Sequence, residues 1–371
     1  MGDRLPLLRL QAARAIAWAL LLGGWVGLGS LAQALAASPA SAFAMLALWL
    51  LSLGAFATLI GQVTLPPAVL RALLVVSAAL LARAAPAALH GGGLMAVLPA
   101  VLGAALLVAL ASAAVRACRQ ALRVRAGPPV ASAAVGALLA WLCLGDLTDV
   151  HGLVLRLATG AVIACAALAL LLPRRSGVAG ACRAGLFDCS MPAWSAAEWR
   201  VPAARPAMVA QLAMLPMMCG LPWMVSLCRS EAVPPQVVVG VHLAAMFMPA
   251  LLALRWPTLQ RHLPASSALL LALGALALLA LPGGSAWWAL AAAHGSAWSL
   301  AWAERLQNRT ARRHGAASAF GGAALNGALV LCLGAAMAFG GLQTLAIWHL
   351  ALGIAGALVA FGSWSLRAAP A

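Results

Sequence analysis

The sequence has few charged side chains and no lysine. Only 8% of its 371 residues are charged, whereas 65% are hydrophobic and recur as long runs along the whole chain. Soluble globular domains carry about 25% charged residues, so the composition excludes an ordinary soluble domain. We therefore predict an all-α polytopic membrane protein whose main surrounding partner is the lipid bilayer.

Acidic residues are few, and all of them are expected at the ends of membrane spans or in loops. The seven are Asp3, Asp146, Asp149, Asp188, Glu198, Glu231 and Glu304. Antiporters for organic solutes and drugs generally couple to protons through an intramembrane carboxylate. Its absence weakens that function here and leaves the energy coupling of any other transport function open.

Several sequence motifs are missing. The eight Cys form no CxxC pair, which argues against a disulfide framework or a structural zinc site. Neither a P-loop nor a phosphorylated Asp motif is present, so ATP-driven pumping is not expected. We predict no enzymatic activity and no permanent cofactor.

Twelve apolar segments are long enough to span a bilayer. Turn residues such as Pro66-Pro67, Gly127-Pro128 and Pro234-Pro235 separate them. The predicted spans are 15–37, 42–61, 67–89, 94–115, 129–147, 152–172, 207–226, 235–254, 265–282, 285–304, 316–339 and 342–364.

The net charge of +16 comes from 23 arginines that lie between the apolar runs. With a cytoplasmic N-terminus, 20 of the 23 fall on the cytoplasmic side, and only Arg83, Arg156 and Arg229 do not. This is the positive-inside pattern of a membrane protein, and not a nucleic-acid-binding surface. It predicts twelve spans in a bacterial inner membrane with both termini in the cytoplasm.

The longest polar interval, 173–206, divides the spans six and six. We predict an N-terminal six-helix half at 1–172, a cytoplasmic linker at 173–206 and a C-terminal six-helix half at 207–371. This topology resembles the major facilitator superfamily, and the resemblance implies that substrate binds between the halves near mid-membrane. The usual signature of that superfamily between spans two and three is not matched, because residues 61–71 lack an acid.

A methionine-rich stretch runs from Met208 to Met248 and holds seven of the 12 Met. Met214 with Met218, and His242 with Met246, are i, i+4 pairs, so each pair lies on one face of its helix. At about 1.5 Å per residue the two pairs reach matching depths in spans seven and eight. Thioether and imidazole groups select soft metals such as Cu(I), so these four residues are the predicted metal ligands.

The two motifs, MLPMM in span seven and HLAAM in span eight, are similar to those of the CcoA-type copper importers. That resemblance implies inward transport of copper as substrate, with the imported metal supplying assembly of cbb3-type cytochrome oxidase. It also implies a copper chaperone or oxidase assembly factors as partners. The family attaches roles to cysteines, for which Cys219 and Cys228 are the nearest candidates. Gln211 could orient a ligand, and His294 could act as a polar gate or support a ligand.

Bland alternatives remain open for each of these residues. Met on an apolar helix often only fills gaps, and His294 could simply pack against Trp298. His242 could have a purely structural hydrogen bond, and Gln211 could form a plain interhelical one. At the level of function, the alternatives are a facilitator for an organic solute or drug and a membrane assembly factor that transports nothing.

Overall fold

A computed structural model of the chain is all-helical in the part that it describes. The described residues are 4–35, 39–63, 65–90, 94–122, 130–172, 234–256, 263–280 and 283–307, with single positions between 328 and 358. The helices are α1 (Arg4–Leu35), α2 (Pro39–Gln62), α3 (Pro67–His90), α4 (Leu94–Leu122), α5 (Val130–Leu144), α6 (Val150–Leu171), α7 (Pro235–Arg255), α8 (Leu263–Ala280) and α9 (Gly283–Gln307).

These helices match the predicted spans one to six and eight to ten. The largest difference is at α1, which begins at Arg4 and not near residue 15. The arginines of residues 4–14 were expected to precede the span, but Arg is a good helix former and the helix continues through them. Span seven and the 173–206 linker lie outside the described residues, and spans eleven and twelve are described only at single helical positions. The count of twelve spans and the division into halves stay predictions.

The surface of the described helices is suited to hydrocarbon. Six of them, α1 to α4, α6 and α7, are long and apolar enough to cross a membrane, and α5 is a shorter apolar helix of 15 residues. Large apolar side chains lie exposed along α6, including Leu155, Ile163 and Leu170. Such continuous apolar exposure is unfavourable in water and expected in lipid. The chain is a multi-pass membrane protein.

Helices α1 to α6 pack together and are called the first bundle below. Within it α1 is central and contacts α2, α4, α5 and α6. Its contact with α5 is closest at Gly136, where a Cβ would lie 2.5 Å from both the Ala15 oxygen and the Trp18 Cβ. Two turns further along α1, Gly23 lies beside Ala140. Both contacts advance in the same direction, so α1 and α5 are parallel, as the predicted alternation of spans requires.

Arg71 joins two helix ends that were predicted to lie on the same side of the membrane. Its Nε donates to the Ala169 oxygen at 3.0 Å, and its Nη2 donates to the Leu172 oxygen at 2.7 Å. These carbonyls end α6 and have no partner within that helix. The start of α3 and the end of α6 therefore share one end of the bundle.

Arg156, one of the three arginines outside the positive-inside pattern, has a local structural role. Its Nε donates to the Leu144 oxygen at 2.9 Å, and its Nη1 lies 3.6 Å from Asp149 Oδ2. It closes the α5–α6 turn, in which Gly145 has a φ of +57°. Asp149 also caps α6 by accepting from the Gly152 N–H. Arg156 and Asp149 thus stabilise the α5–α6 turn through bonds within the protein.

Candidate metal site

The second predicted ligand pair lies on α7, which starts at Pro235 directly after Pro234. His242 is 1% exposed and Met246 is 2% exposed. Both side chains are inside the protein and neither faces lipid. An imidazole placed this deep in an apolar helix is costly unless it has a partner or a function.

One imidazole nitrogen of His242 has a clear partner. Nδ1 lies 3.0 Å from the backbone oxygen of Ala291 in α9. A carbonyl oxygen can only accept, so in the neutral ring Nδ1 carries the proton and Nε2 keeps its lone pair. Nε2 is buried and has no hydrogen-bond partner among the described residues. Histidines that bind metals typically have this arrangement, with the second nitrogen donating to a carbonyl.

Helix α9 lies very close to the turn of α7 that carries both candidate ligands. A Cβ at Gly295 would lie 2.6 Å from the His242 oxygen and 3.0 Å from the Met246 nitrogen. These two atoms are the acceptor and donor of one α7 turn. The absence of a side chain at Gly295 is therefore needed for this separation between the helices.

A third contact continues the series. Ser299 Oγ in α9 accepts from the Ala250 N–H at 2.8 Å, next to Pro249, which removes a donor from α7. The contacts at His242, Met246 and Ala250 each meet α9 one turn further along. Helices α7 and α9 are therefore parallel, as predicted for spans eight and ten.

A different face of α7 contacts the first bundle. Trp141 Nε1 in α5 donates to the Gln236 oxygen at 2.8 Å, and the Trp141 ring lies close to Gly240. Further along α7, the rings of Phe247 and Trp18 are 5.8 Å apart, edge to face. The His242–Met246 turn thus lies between two contacts that join α7 to α1 and α5.

Trp141→Phe is expected to weaken the first of these contacts. Loss of the bond to Gln236 removes about 1 kcal/mol, so the arrangement in which α5 and α7 are in contact becomes about fivefold less favoured. Spin labels at Thr148 and Val237 should report a larger population at long distance by pulsed EPR. Trp256→Phe, which alters a half-exposed ring, is the control. Identical distance distributions for wild type and Trp141→Phe would show that this bond does not hold the helices together.

The ligand pair predicted in span seven belongs to the part of the chain outside the described residues. Met214, Met218 and the supporting candidates Gln211, Cys219 and Cys228 all lie outside the described residues. The described residues bring together His242 and Met246 and do not bear on the methionine pair of span seven.

His294 is fully buried in α9 and directed toward α8, since its Cδ2 lies 3.6 Å from the position of a Cβ at Gly274. Ala291 and Gly295, by contrast, contact α7. Within the described ranges no three His, Cys, Asp or Glu side chains converge to hold a metal. A zinc-type centre is therefore not formed by these residues. A site for a soft metal built on Met thioethers does not require such a cluster.

The contribution of α9 was not found from the sequence. The partner of His242 is a backbone oxygen, which every residue possesses and no side-chain pattern marks. The small residues around His294, in AAAHGSAWS, permit close helix packing. Nothing in them indicated which helix would be the neighbour.

The sequence matches no family model and no curated protein. Solved structures do match in fold. The nucleoside transporter NupG aligns with a TM-score of 0.61 and 14% identity over 100% of both chains. A variant of the E. coli fucose:proton symporter FucP aligns with a TM-score of 0.53 and 14% identity, again over 100% of both chains. A bacterial homologue of the iron transporter ferroportin, in its outward-facing state, gives 0.52 and 14% over 95% of this chain and 100% of that one.

These similarities confirm the predicted fold in its coarser form. The chain shares its overall fold with these solved transporter structures. At 14% identity the likeness concerns fold alone and says nothing about which substrate this chain binds.

Proposed function

We propose that the chain is a secondary transporter that imports copper, as Cu(I), across the bacterial inner membrane by alternating access. In this proposal it belongs with the CcoA-type importers, and its copper supplies assembly of cbb3-type cytochrome oxidase. A copper chaperone or an assembly factor receives the metal. The termini and the 173–206 linker face the cytoplasm, as the arginine distribution predicts.

The observation that carries the proposal is the environment of His242. The ring is buried, its Nδ1–H is bound to the Ala291 oxygen, and its Nε2 has no partner among the described residues. A buried acceptor without a partner costs about 1–3 kcal/mol, which is rarely retained without a function. Met246 places a soft thioether one turn away.

Transport needs no bond chemistry in this scheme. Met214 and Met218 of span seven complete the ligand set, and the ion exchanges between thioether and imidazole groups. Rocking of the two halves exposes these ligands to one side of the membrane and then to the other. Soft ligands favour Cu(I) and Ag(I) over cations that prefer oxygen.

An organic solute is the second candidate substrate, because NupG and FucP are described as a nucleoside transporter and a fucose:proton symporter. The buried polar residues within the described helices are one Arg, two His and several Ser, and no carboxylate is among them. A proton-coupled solute carrier would be expected to have one.

Radiocopper uptake tests the proposal directly. Cells grown at limiting copper should accumulate more label when they produce the protein, and excess Ag(I) should compete whereas Mn(II) should not. Unchanged copper uptake would reject it. Protein-dependent uptake of a labelled nucleoside or of fucose in the same cells would support the organic-solute alternative. If producing the protein raised oxidase activity in these cells without raising copper uptake, the alternative of a membrane assembly factor that transports nothing would be supported.

Met246→Leu is expected to reduce copper uptake about tenfold at limiting copper while leaving the protein folded. Leu has nearly the volume of Met, so packing changes by less than about 1.5 kcal/mol, but the sulfur ligand is lost. Met45→Leu, at a buried position of α2 in the first bundle, is the matched control and should transport normally. Equal uptake by the two variants would remove Met246 from the ligand set.

A further inference from the structure

Helix α9 contacts the ligand-bearing turn of α7 through one turn of its own. His242 Nδ1 lies on the Ala291 oxygen, and Gly295 lies against the backbone between His242 and Met246. Within α9 the Gly295 N–H is the helical donor to the same Ala291 oxygen. The two lone pairs of that oxygen therefore serve the α9 ladder and the His242 ring together.

We propose that Gly295 is a positioning residue for the metal site, because its missing side chain lets the Ala291 oxygen hold His242 in the tautomer whose Nε2 binds the metal. This inference rests on the proposed function for the identity of the metal. The tautomer itself is a property of the metal-free protein.

The geometry explains why an added methyl group would act on the ring. At Gly295 a Cβ would lie 2.6 Å from the His242 oxygen, 2.7 Å from Ala245 Cβ and 3.0 Å from the Met246 nitrogen. Two of these atoms are backbone and cannot rotate away, so α7 and α9 must separate. A separation of a few tenths of an ångström lengthens the 3.0 Å contact of Nδ1 with the Ala291 oxygen. The ring then loses the bond that selects its tautomer.

The first measurement is spectroscopic. In purified full-length protein labelled with ¹⁵N-histidine, the His242 signals are those absent from His242→Gln. Wild type should show a protonated Nδ1 and an unprotonated Nε2, and Gly295→Ala should show a mixture of tautomers or protonation at Nε2. Gly160→Ala is the matched control, because its Cβ would meet Cys143 Sγ at an ordinary 3.8 Å. It should leave the His242 signals unchanged.

The second measurement is Cu(I) affinity by competition with a chromophoric chelator. Loss of a group that orients a metal ligand typically costs 10–100-fold, so we expect Kd to rise about tenfold in Gly295→Ala and not in Gly160→Ala. A protonated Nε2 in the wild-type protein would overturn the inference, even if the Gly295→Ala protein could not be produced in a folded form. So would an unchanged tautomer and Kd in Gly295→Ala.

Failure of this inference is distinguishable from failure of the proposed function. If His242→Ala abolishes uptake while Gly295→Ala keeps the wild-type tautomer, His242 is a ligand that α9 does not position. If His242→Ala transports copper normally, His242 is not a ligand of the transported ion. If the wild-type protein does not raise copper uptake at all, the proposed function itself is wrong, whatever the tautomer.

Discussion

Copper accumulation should fall to the level of cells lacking the protein when His242 is replaced by Ala. The substitution removes the only nitrogen ligand in the predicted set, and its neighbours on α7 cannot replace it. Changes in groups that merely orient a ligand cost about 10–100-fold in metal affinity, so loss of the imidazole itself should cost at least about 100-fold, more than the loss of one of three thioethers. Initial rates of radiocopper uptake at limiting copper, normalised to protein in the membrane, measure the effect.

Leu243→Ala is the control for packing. Leu243 is the next residue of α7 and is 4% exposed, so its truncation leaves a cavity without removing a ligand. A cavity of this kind costs about 2–5 kcal/mol in folded stability. Uptake per folded molecule should nevertheless persist. If His242→Ala and Leu243→Ala reduced uptake equally, packing and not metal binding would explain the role of His242.

Gly136→Ala should be the most damaging single methyl group in the first bundle. Its Cβ would lie 2.5 Å from the Ala15 oxygen and from Trp18 Cβ, and 3.0 Å from the Ala19 nitrogen. Two of these atoms belong to the backbone of the central helix α1, so no side chain can rotate away. Overpacking of this kind costs about 1–3 kcal/mol, and we expect a value near the upper end.

Thermal unfolding of the detergent-solubilised protein, followed by size-exclusion chromatography, measures this loss. Gly103→Ala in α4 is the matched control, because its Cβ would meet Leu81 at 3.7 Å, an ordinary contact. That variant should be neutral or slightly stabilised, since Ala is the better helix former by up to about 1 kcal/mol. Equal midpoints for the two variants would show that α1 and α5 are not held at this distance.

Much of the helix pattern could be predicted from the sequence, for a physical reason. Hydrocarbon admits only segments whose backbone groups are paired internally, so each long apolar run must be a helix. The Pro66-Pro67 and Pro234-Pro235 pairs then mark helix starts, and both α3 and α7 begin at the second proline. The predicted start of α1 was too late by about three turns, because the arginines of residues 4–14 are good helix formers and extend the helix.

The neighbours of each helix could not be predicted in this way. Apolar side chains pack against many partners with similar energy, and in lipid the surface of a span carries little information about the adjacent one. His242 illustrates the point. Its chemistry marked it as a candidate ligand, but the Ala291 oxygen that orients it has no signature in the sequence. The role of Arg156 was missed for the same reason, because its partners include the backbone of the α5–α6 turn.

The three contacts in register between α7 and α9 limit how this protein can move. A hydrogen bond at His242, a backbone contact at Met246 and a second hydrogen bond at Ala250 join consecutive turns of the two helices. Sliding one helix along the other would break all three contacts at once, so we expect the two helices to move together as one rigid unit. In the proposed transport cycle, the contacts of Trp141 with Gln236 and of Trp18 with Phe247 and Trp302 would then change instead. The Ala291 oxygen would then stay bound to His242 while the helices move, so an ion bound at His242 would keep this ligand in the same orientation throughout the proposed cycle.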